Sequence, residues 1–232
     1  MRSGDAFAKK LGEWMHVTDA IVLRSTHTPL SENTAVPAFT LASRLDVKVV
    51  EDFEQARAAL AHALNSQGSS TTKARPSRSS MPSPAKGEFL EQAGVFEPYR
   101  RYYLAQQREM DLKVKPLRYK IRASLFSASA PLQQLAALDA AMEKILSERE
   151  AILLAKAPML LERRFKQLRQ AHQDRLANAQ RDDSADLWMK PGGWLSRFRE
   201  EMQSLLLAEL DLRLQPTLGL VEALQNDRTT NR

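Results

Sequence analysis

Fifty consecutive residues, Pro131 to Gln180, contain no glycine and are built largely from Ala, Leu, Gln, Glu, Lys and Arg, the side chains that lose least freedom in a helix. Leu135, Leu138, Met142, Ile145 and Ile152, then Leu161, Phe165, Leu168, His172 and Leu176, recur at steps of three and four, which places them on one helical face. At a rise of about 1.5 Å per residue a straight helix of this length would span roughly 75 Å, more than a compact domain of 232 residues accommodates. The stretch therefore predicts an elongated helical hairpin or bundle in which it forms the spine.

Two further amphipathic segments flank the spine. Phe96, Tyr99, Tyr103, Met110, Val114, Leu117, Ile121 and Leu125 keep one phase, with Pro98 suited to a first turn. Ser127 to Pro131 breaks that helix, and the basic end of the first helix (Lys113 to Arg122) would then meet Asp139, Glu143, Glu148 and Glu150 in an antiparallel return. After a break at Asp182, Asp183, Pro191, Gly192 and Gly193, the residues Trp194, Phe198, Met202, Leu205, Leu212, Leu220 and Leu224 form a last helix. The expected class is all-α, an elongated antiparallel three-helix hairpin or bundle over 88–226.

Three prolines, Pro116, Pro158 and Pro216, sit inside these patterns without disturbing the apolar phase, so each is expected to kink its helix rather than end it. Counting outwards from the turns puts Pro158 and Pro216 at one level, with residue 100 beside them. Beyond that bend, 159–180 and 194–215 would form a two-helix arm that the first helix leaves uncovered.

Ahead of the bundle, 1–64 reads as a small helical module. Phe7, Leu11, Trp14 and Met15 share a helix face, 25–50 reads as a connecting loop around Pro29 and Pro37, and Phe53, Ala56, Leu60 and Leu64 mark a modest helix. Residues 65–87 combine Ser, Pro and bases with little to bury, the composition of a disordered linker.

The formal charge of +6 is concentrated. Between Glu97 and Arg122 eight bases (Arg100, Arg101, Arg108, Lys113, Lys115, Arg118, Lys120, Arg122) stand against three acids, and 65–87 adds four bases and no acid. Such segments can attract nucleic acid, an anionic surface or an acidic protein. In Tyr99-Arg100-Arg101-Tyr102-Tyr103 the arginines could take phosphates and the rings could stack on bases, although Tyr99 and Tyr103 also fall on the apolar stripe. A second basic group, Arg163, Arg164, Lys166 and Arg169, lies on the arm beside Trp194 and Phe198 of the last helix. Tyr99, Arg100, Arg101, Arg163, Arg164, Arg169, Trp194 and Phe198 are accordingly the candidate interaction residues.

Chemistry is harder to place. With no cysteine, disulfides, thiolate metal sites and cysteine nucleophiles are excluded. His16, His27, His62 and His172 are scattered without paired or metal-ligand spacing, and Gly192-Gly193 lacks the lysine of a phosphate loop. No catalytic, cofactor or metal site, and no small-molecule substrate, is expected. The amino terminus lacks the uninterrupted apolar core of a signal peptide, which predicts a cytoplasmic protein. The leading expectation is a non-enzymatic scaffold or adaptor that binds a protein partner or itself; the alternative is a nucleic-acid or anionic-surface binder using 97–122 and the linker.

Trp14 with Thr18-Asp19-Ala20-Ile21, the Tyr99-Arg100-Arg101-x-Tyr103 block, Pro116-Leu117-Arg118, Leu138-Asp139-x-x-Met142-Glu143, and Met202-Gln203 through Leu206-Leu207-Ala208-Glu209-Leu210-Asp211-x-Arg213-Leu214-Gln215-Pro216-x-x-Gly219-Leu220 carry a resemblance. Over 7–23 and 96–224 the chain resembles an uncharacterised proteobacterial family defined by a domain of unknown function. The resemblance implies no activity, ligand or catalytic residue. It implies a cytoplasmic accessory to an envelope complex, since members of that family are encoded near motor-protein-like and OmpA-like outer-membrane proteins. It also implies a start shortened relative to longer leaders.

Overall fold

The computed structural model describes residues 39–66, 81–83, 95–179 and 185–230, together with Asp19. The chain is all-α: among the described residues there is no strand. The helices are α1 (Phe39–Ser66), α2 (Glu97–Phe126), α3 (Ala130–Leu154), α4 (Ala157–Ala179), the single turn α5 (Ala185–Trp188) and α6 (Trp194–Thr230). They divide between two compact units. One takes residues 1–53, 116–153 and 216–232; the other takes 54–115 and 154–215.

In the first unit, α2 beyond Pro116 turns back into α3 through a bend at 127–129. Ser127 N and Ser127 Oγ both bond the Ser124 carbonyl, and Ala128 N bonds that of Leu125, so the last carbonyls of α2 are satisfied before the chain reverses. The carbonyl of Ser129 opens α3 by accepting from Gln133 N, and its hydroxyl donates to Asp227 of α6 at 2.9 Å. Ile121, Leu125, Leu132, Ala136, Leu220, Val221 and Leu224 are buried here with Val49 and Phe53 of α1.

The inward face of α3 is not the leucine stripe. Leu132, Ala136 and Ala141 are buried, whereas Leu135, Leu138, Met142 and Ile145 are half-buried. Asp139 and Glu143 decide the rotation: they fall in phase with Leu132 and Ala136, and both meet arginines of α2. The antiparallel return expected from charge is thus present at Arg118 and Arg122.

The second unit is organised by rings. Phe165 of α4 lies 5.0–5.8 Å, centroid to centroid, from Phe96 and Tyr99 at the start of α2 and from Trp194 and Phe198 of α6. Tilted and edge-to-face pairs of this kind add to the burial of their area. The arm formed by α4 and α6 is therefore not left uncovered, because α2 packs along both helices from Phe96 onwards. Leu205 and Leu212, expected on the buried stripe, are exposed; the core instead follows Phe198, Met202, Leu206, Leu210 and Leu214 in steps of four.

The spine is two helices. α3 ends at Leu154, residues 155–156 form a turn, and α4 begins at Ala157 with Lys156 O accepting from Leu160 N at 3.2 Å. Pro158 explains the interruption: it has no N–H for the carbonyl of Leu154, which a continuous helix would need. That carbonyl accepts instead from Gln107 Nε2 of α2, at 3.4 Å. α2 and α6 run unbroken through Pro116 and Pro216 as expected.

The amino-terminal part departs most from expectation. Residues 39–50, read as loop, belong to α1, which starts two residues after Pro37. α1 makes a fourth helix beside the three expected: Asp52 accepts from Lys120 of α2 at 2.5 Å in the first unit, and Gln203 of α6 donates to the Leu64 carbonyl and the Asn65 side chain in the second. Apart from Asp19, the helix and short second element expected over 5–24 lie outside the described residues, as does most of the linker. Within that linker Met81 is buried, and Met81 and Ser83 are held by Arg199. At the α5–α6 corner Gly192 has φ +83°, and a Cβ on Gly193 would sit 2.2 Å from the Trp188 carbonyl oxygen, so only glycine fits there.

Candidate interaction surface

Charged side chains are the raw material of any site, and most of those on the described helices are already engaged. In the second unit, Glu209 of α6 is buried. Its Oε2 accepts from the Tyr103 hydroxyl at 2.6 Å and from Gln107 Nε2 at 3.0 Å, and its Oε1 accepts from Gln107 Nε2 at 3.0 Å and from Arg213 Nε and Nη2 at 3.0 and 2.7 Å. Arg213 is also paired with Asp111. Every lone-pair direction of the carboxylate has a donor, the condition under which a buried charge is tolerated. Burial, then the bond to Glu209, pushes the Tyr103 hydroxyl well above the ordinary tyrosine range.

The first unit repeats the device between α2 and α3. Arg118 meets Asp139 through two bonds of 3.1 and 2.5 Å, and Arg122 Nε donates to the same carboxylate at 2.8 Å while its Nη2 pairs with Glu143. Planar forks on shared carboxylates fix the register of the two helices.

The bases of α2 differ in how they are engaged: the pairs with Glu97, Glu109 and Asp111 are exposed contacts within the helix, whereas Arg118 and Arg122 are tied to α3. Of the eight bases, Arg100 and Arg101 reach Glu97, Lys113 reaches Glu109, Lys115 reaches Asp111, Lys120 reaches Asp52, and Arg118 and Arg122 are consumed by α3, while exposed Arg108 meets no carboxylate among the described residues. Tyr99, Tyr102 and Tyr103 are all buried, so no stacking platform stands beside Arg100 and Arg101. Burial also pushes the Tyr102 hydroxyl up to about 12. The apolar stripe indicates Tyr99 and Tyr103; Tyr102 is in step with Gln106, which is buried although its residue type gives no inward signal.

The remaining candidate residues separate in the same way. Trp194 and Phe198 lie inside the aromatic core with Tyr99, and no partner reaches them in this fold. Arg164 of α4 forms a two-bond pair with Glu201 of α6, both at 2.6 Å, which holds the Glu201 carboxyl below its usual range. Arg169 is half-buried and Arg163 is exposed. The candidate set is therefore part core and part surface, and the structure does not gather it into one patch.

Sequence reasoning missed a different surface. α4 and α6 run antiparallel, with Arg164 level with Glu201. One turn away on the same faces, Leu160 is 56% exposed and Leu205 is 37% exposed. Leu212, two turns beyond Leu205, is 53% exposed, and Met159 flanks Leu160. The signal was in the sequence: α6 carries apolar residues at 205 and 212 as well as at 206, 210 and 214, a wider stripe than one buried face needs.

Arg199 of α6 is half-buried and held without an acidic partner among the described residues. It donates to Met81 Sδ at 3.1 Å, Ser83 Oγ at 2.8 Å and Met189 Sδ at 3.5 Å. Burial lowers its pKa, opposed weakly by Tyr99 and Tyr102. Among the described residues no three His, Asp or Glu side chains come together as a metal site would require, and no helix is long and apolar enough to cross a membrane.

A family model described as a protein of unknown function, DUF3348, matches residues 1–226. The chain belongs to the DUF3348 family. The match extends through the linker and the amino-terminal segment as well as the helices, so the resemblance seen over 7–23 and 96–224 is a part of the whole. No curated protein and no solved structure matches the chain significantly. The buried Glu209–Arg213 and Asp139–Glu143 groups fall in motifs that carried the resemblance to this family.

Proposed function

We propose that this DUF3348 protein is a non-enzymatic helical scaffold or adaptor in the cytoplasm, accessory to a cell-envelope complex, which works by presenting helix faces to protein partners. The observation that carries this reading is the exposed leucine strip on α4 and α6, on helices whose long charged side chains are largely occupied in pairs. Apolar side chains in a contiguous exposed group are what a protein partner covers. The paired bases and buried tyrosines of α2 leave little of the phosphate-binding and stacking chemistry that nucleic-acid recognition uses.

The discriminating experiment is salt dependence. Association through apolar helix faces survives 0.5 M salt, whereas retention on heparin or DNA falls steeply with added salt because each phosphate contact releases counterions. Salt-steep retention at near-physiological ionic strength would overturn the adaptor reading in favour of an anionic-surface binder.

A further inference from the structure

The outward face of α4 and α6 carries more than leucines. Lys156, in the turn before α4, and Arg163 of α4 are exposed near Leu160 and Met159, and among the described residues neither has an acidic partner. Asp211 is exposed on α6 beside Leu212, and the Glu200 carboxylate, also exposed, accepts from the Ser196 hydroxyl; among the described residues neither acid meets a base. One edge of the strip is basic and the other acidic. Because Arg164 is level with Glu201 and the helices are antiparallel, Lys156 comes level with position 209, two residues from Asp211; Arg163 comes level with 202, two residues from Glu200. Each offset is about 3 Å along the axis.

We propose that this face binds a second copy of the chain, about a two-fold axis running parallel to the two helices; the proposal deepens the adaptor reading and rests on it. Such an axis keeps heights and exchanges sides, so α4 of each copy lies over α6 of the other. Leu160 then meets Leu205 of the second copy, and the Lys156 and Arg163 edge meets the edge with Asp211 and Glu200. An isologous contact needs this self-complementarity. No single-sign face has it.

Sedimentation equilibrium of the full chain from about 1 to several hundred micromolar tests the proposal. The wild type is expected to pass from one to two copies. Leu160→Glu with Leu205→Glu should leave one copy throughout; both positions are exposed, and unchanged helix content by circular dichroism confirms folding. Lys156→Glu with Arg163→Glu should weaken pairing at least tenfold. Adding Glu200→Lys and Asp211→Lys to that variant should restore pairing to within about threefold, since the exchanged edges again match. A wild type that stays single overturns the proposal while leaving the adaptor reading to another partner. A pair insensitive to the leucine changes, or charge reversal without rescue, overturns this face as the contact.

Discussion

Replacing Glu209 by Ala tests whether the buried polar groups hold the helices in register. The carboxylate serves three donor groups, and they fare differently without it. Arg213 keeps Asp111. Gln107 keeps only its long bond to the Leu154 carbonyl. The Tyr103 hydroxyl, on a side chain that is 0% exposed, loses the carboxylate that accepts its proton. Stranding buried donors costs about 1–3 kcal/mol each, and breaking a buried ion pair from one side costs about 3–5 kcal/mol, so Glu209→Ala should cost roughly 4 kcal/mol. Tyr103→Phe removes one donor to an otherwise satisfied carboxylate and should cost about 2 kcal/mol. Urea unfolding of chains carrying Trp14→Phe, followed by far-ultraviolet circular dichroism and by the fluorescence of Trp188 and Trp194 in the same unit, gives both values. The double variant should cost less than the sum by about 1–2 kcal/mol, because the second change removes a hydroxyl already stranded. A loss below about 1 kcal/mol for Glu209→Ala, or strict additivity, would refute the coupling.

The other predictions concern groups whose surroundings differ. Asp139→Ala leaves half-buried Arg118 and buried Arg122 of α2 with Glu143 alone as acidic partner, and should destabilise by about 3 kcal/mol in the same urea assay. Arg199→Met removes a desolvated guanidinium that has thioethers and a hydroxyl for partners, and should leave stability unchanged or raise it by about 1 kcal/mol; a clear loss would mean the clasp on Met81 outweighs the desolvation. At alkaline pH the sign follows from the raised tyrosines. The unfolded chain releases its tyrosine protons near pH 10 while Tyr102 holds its own to about 12, so stability present below pH 10 is lost as pH rises from 10 through 12. Tyr102→Phe should flatten that decline in thermal melts between pH 9 and 12.

The helical class, the α2 stripe, the break at 127–131 and the Gly192-Gly193 corner were legible because each rests on local chemistry: period, capping and backbone freedom. The rotation of α3 was not, because leucines and carboxylates compete for the inward face, and only the arginines opposite decide it. Pro158 was misread for a related reason. An uninterrupted apolar phase says that both sides of a proline face one core, not that the helix survives between them, and here the Leu154 carbonyl found Gln107 instead. α1 was lost at its start because Pro29 and Pro37 punctuate 25–38, and the apolar spacing that marks a helix is sustained only near Phe53. The candidate surface suffered most. Residue type alone cannot tell an aromatic that anchors a core, such as Phe198, from one that meets a partner, and cannot tell that Arg118 and Arg122 are already occupied.

The claim that helix faces do the work is tested most directly by side-chain footprinting with hydroxyl radicals, comparing the dilute purified chain with the chain in its native cells. The account predicts that Met159, Leu160, Leu205 and Leu212 become several-fold less reactive in cells, while Tyr119, 71% exposed on α2, keeps its reactivity. Equal reactivity of the four in both settings would contradict it.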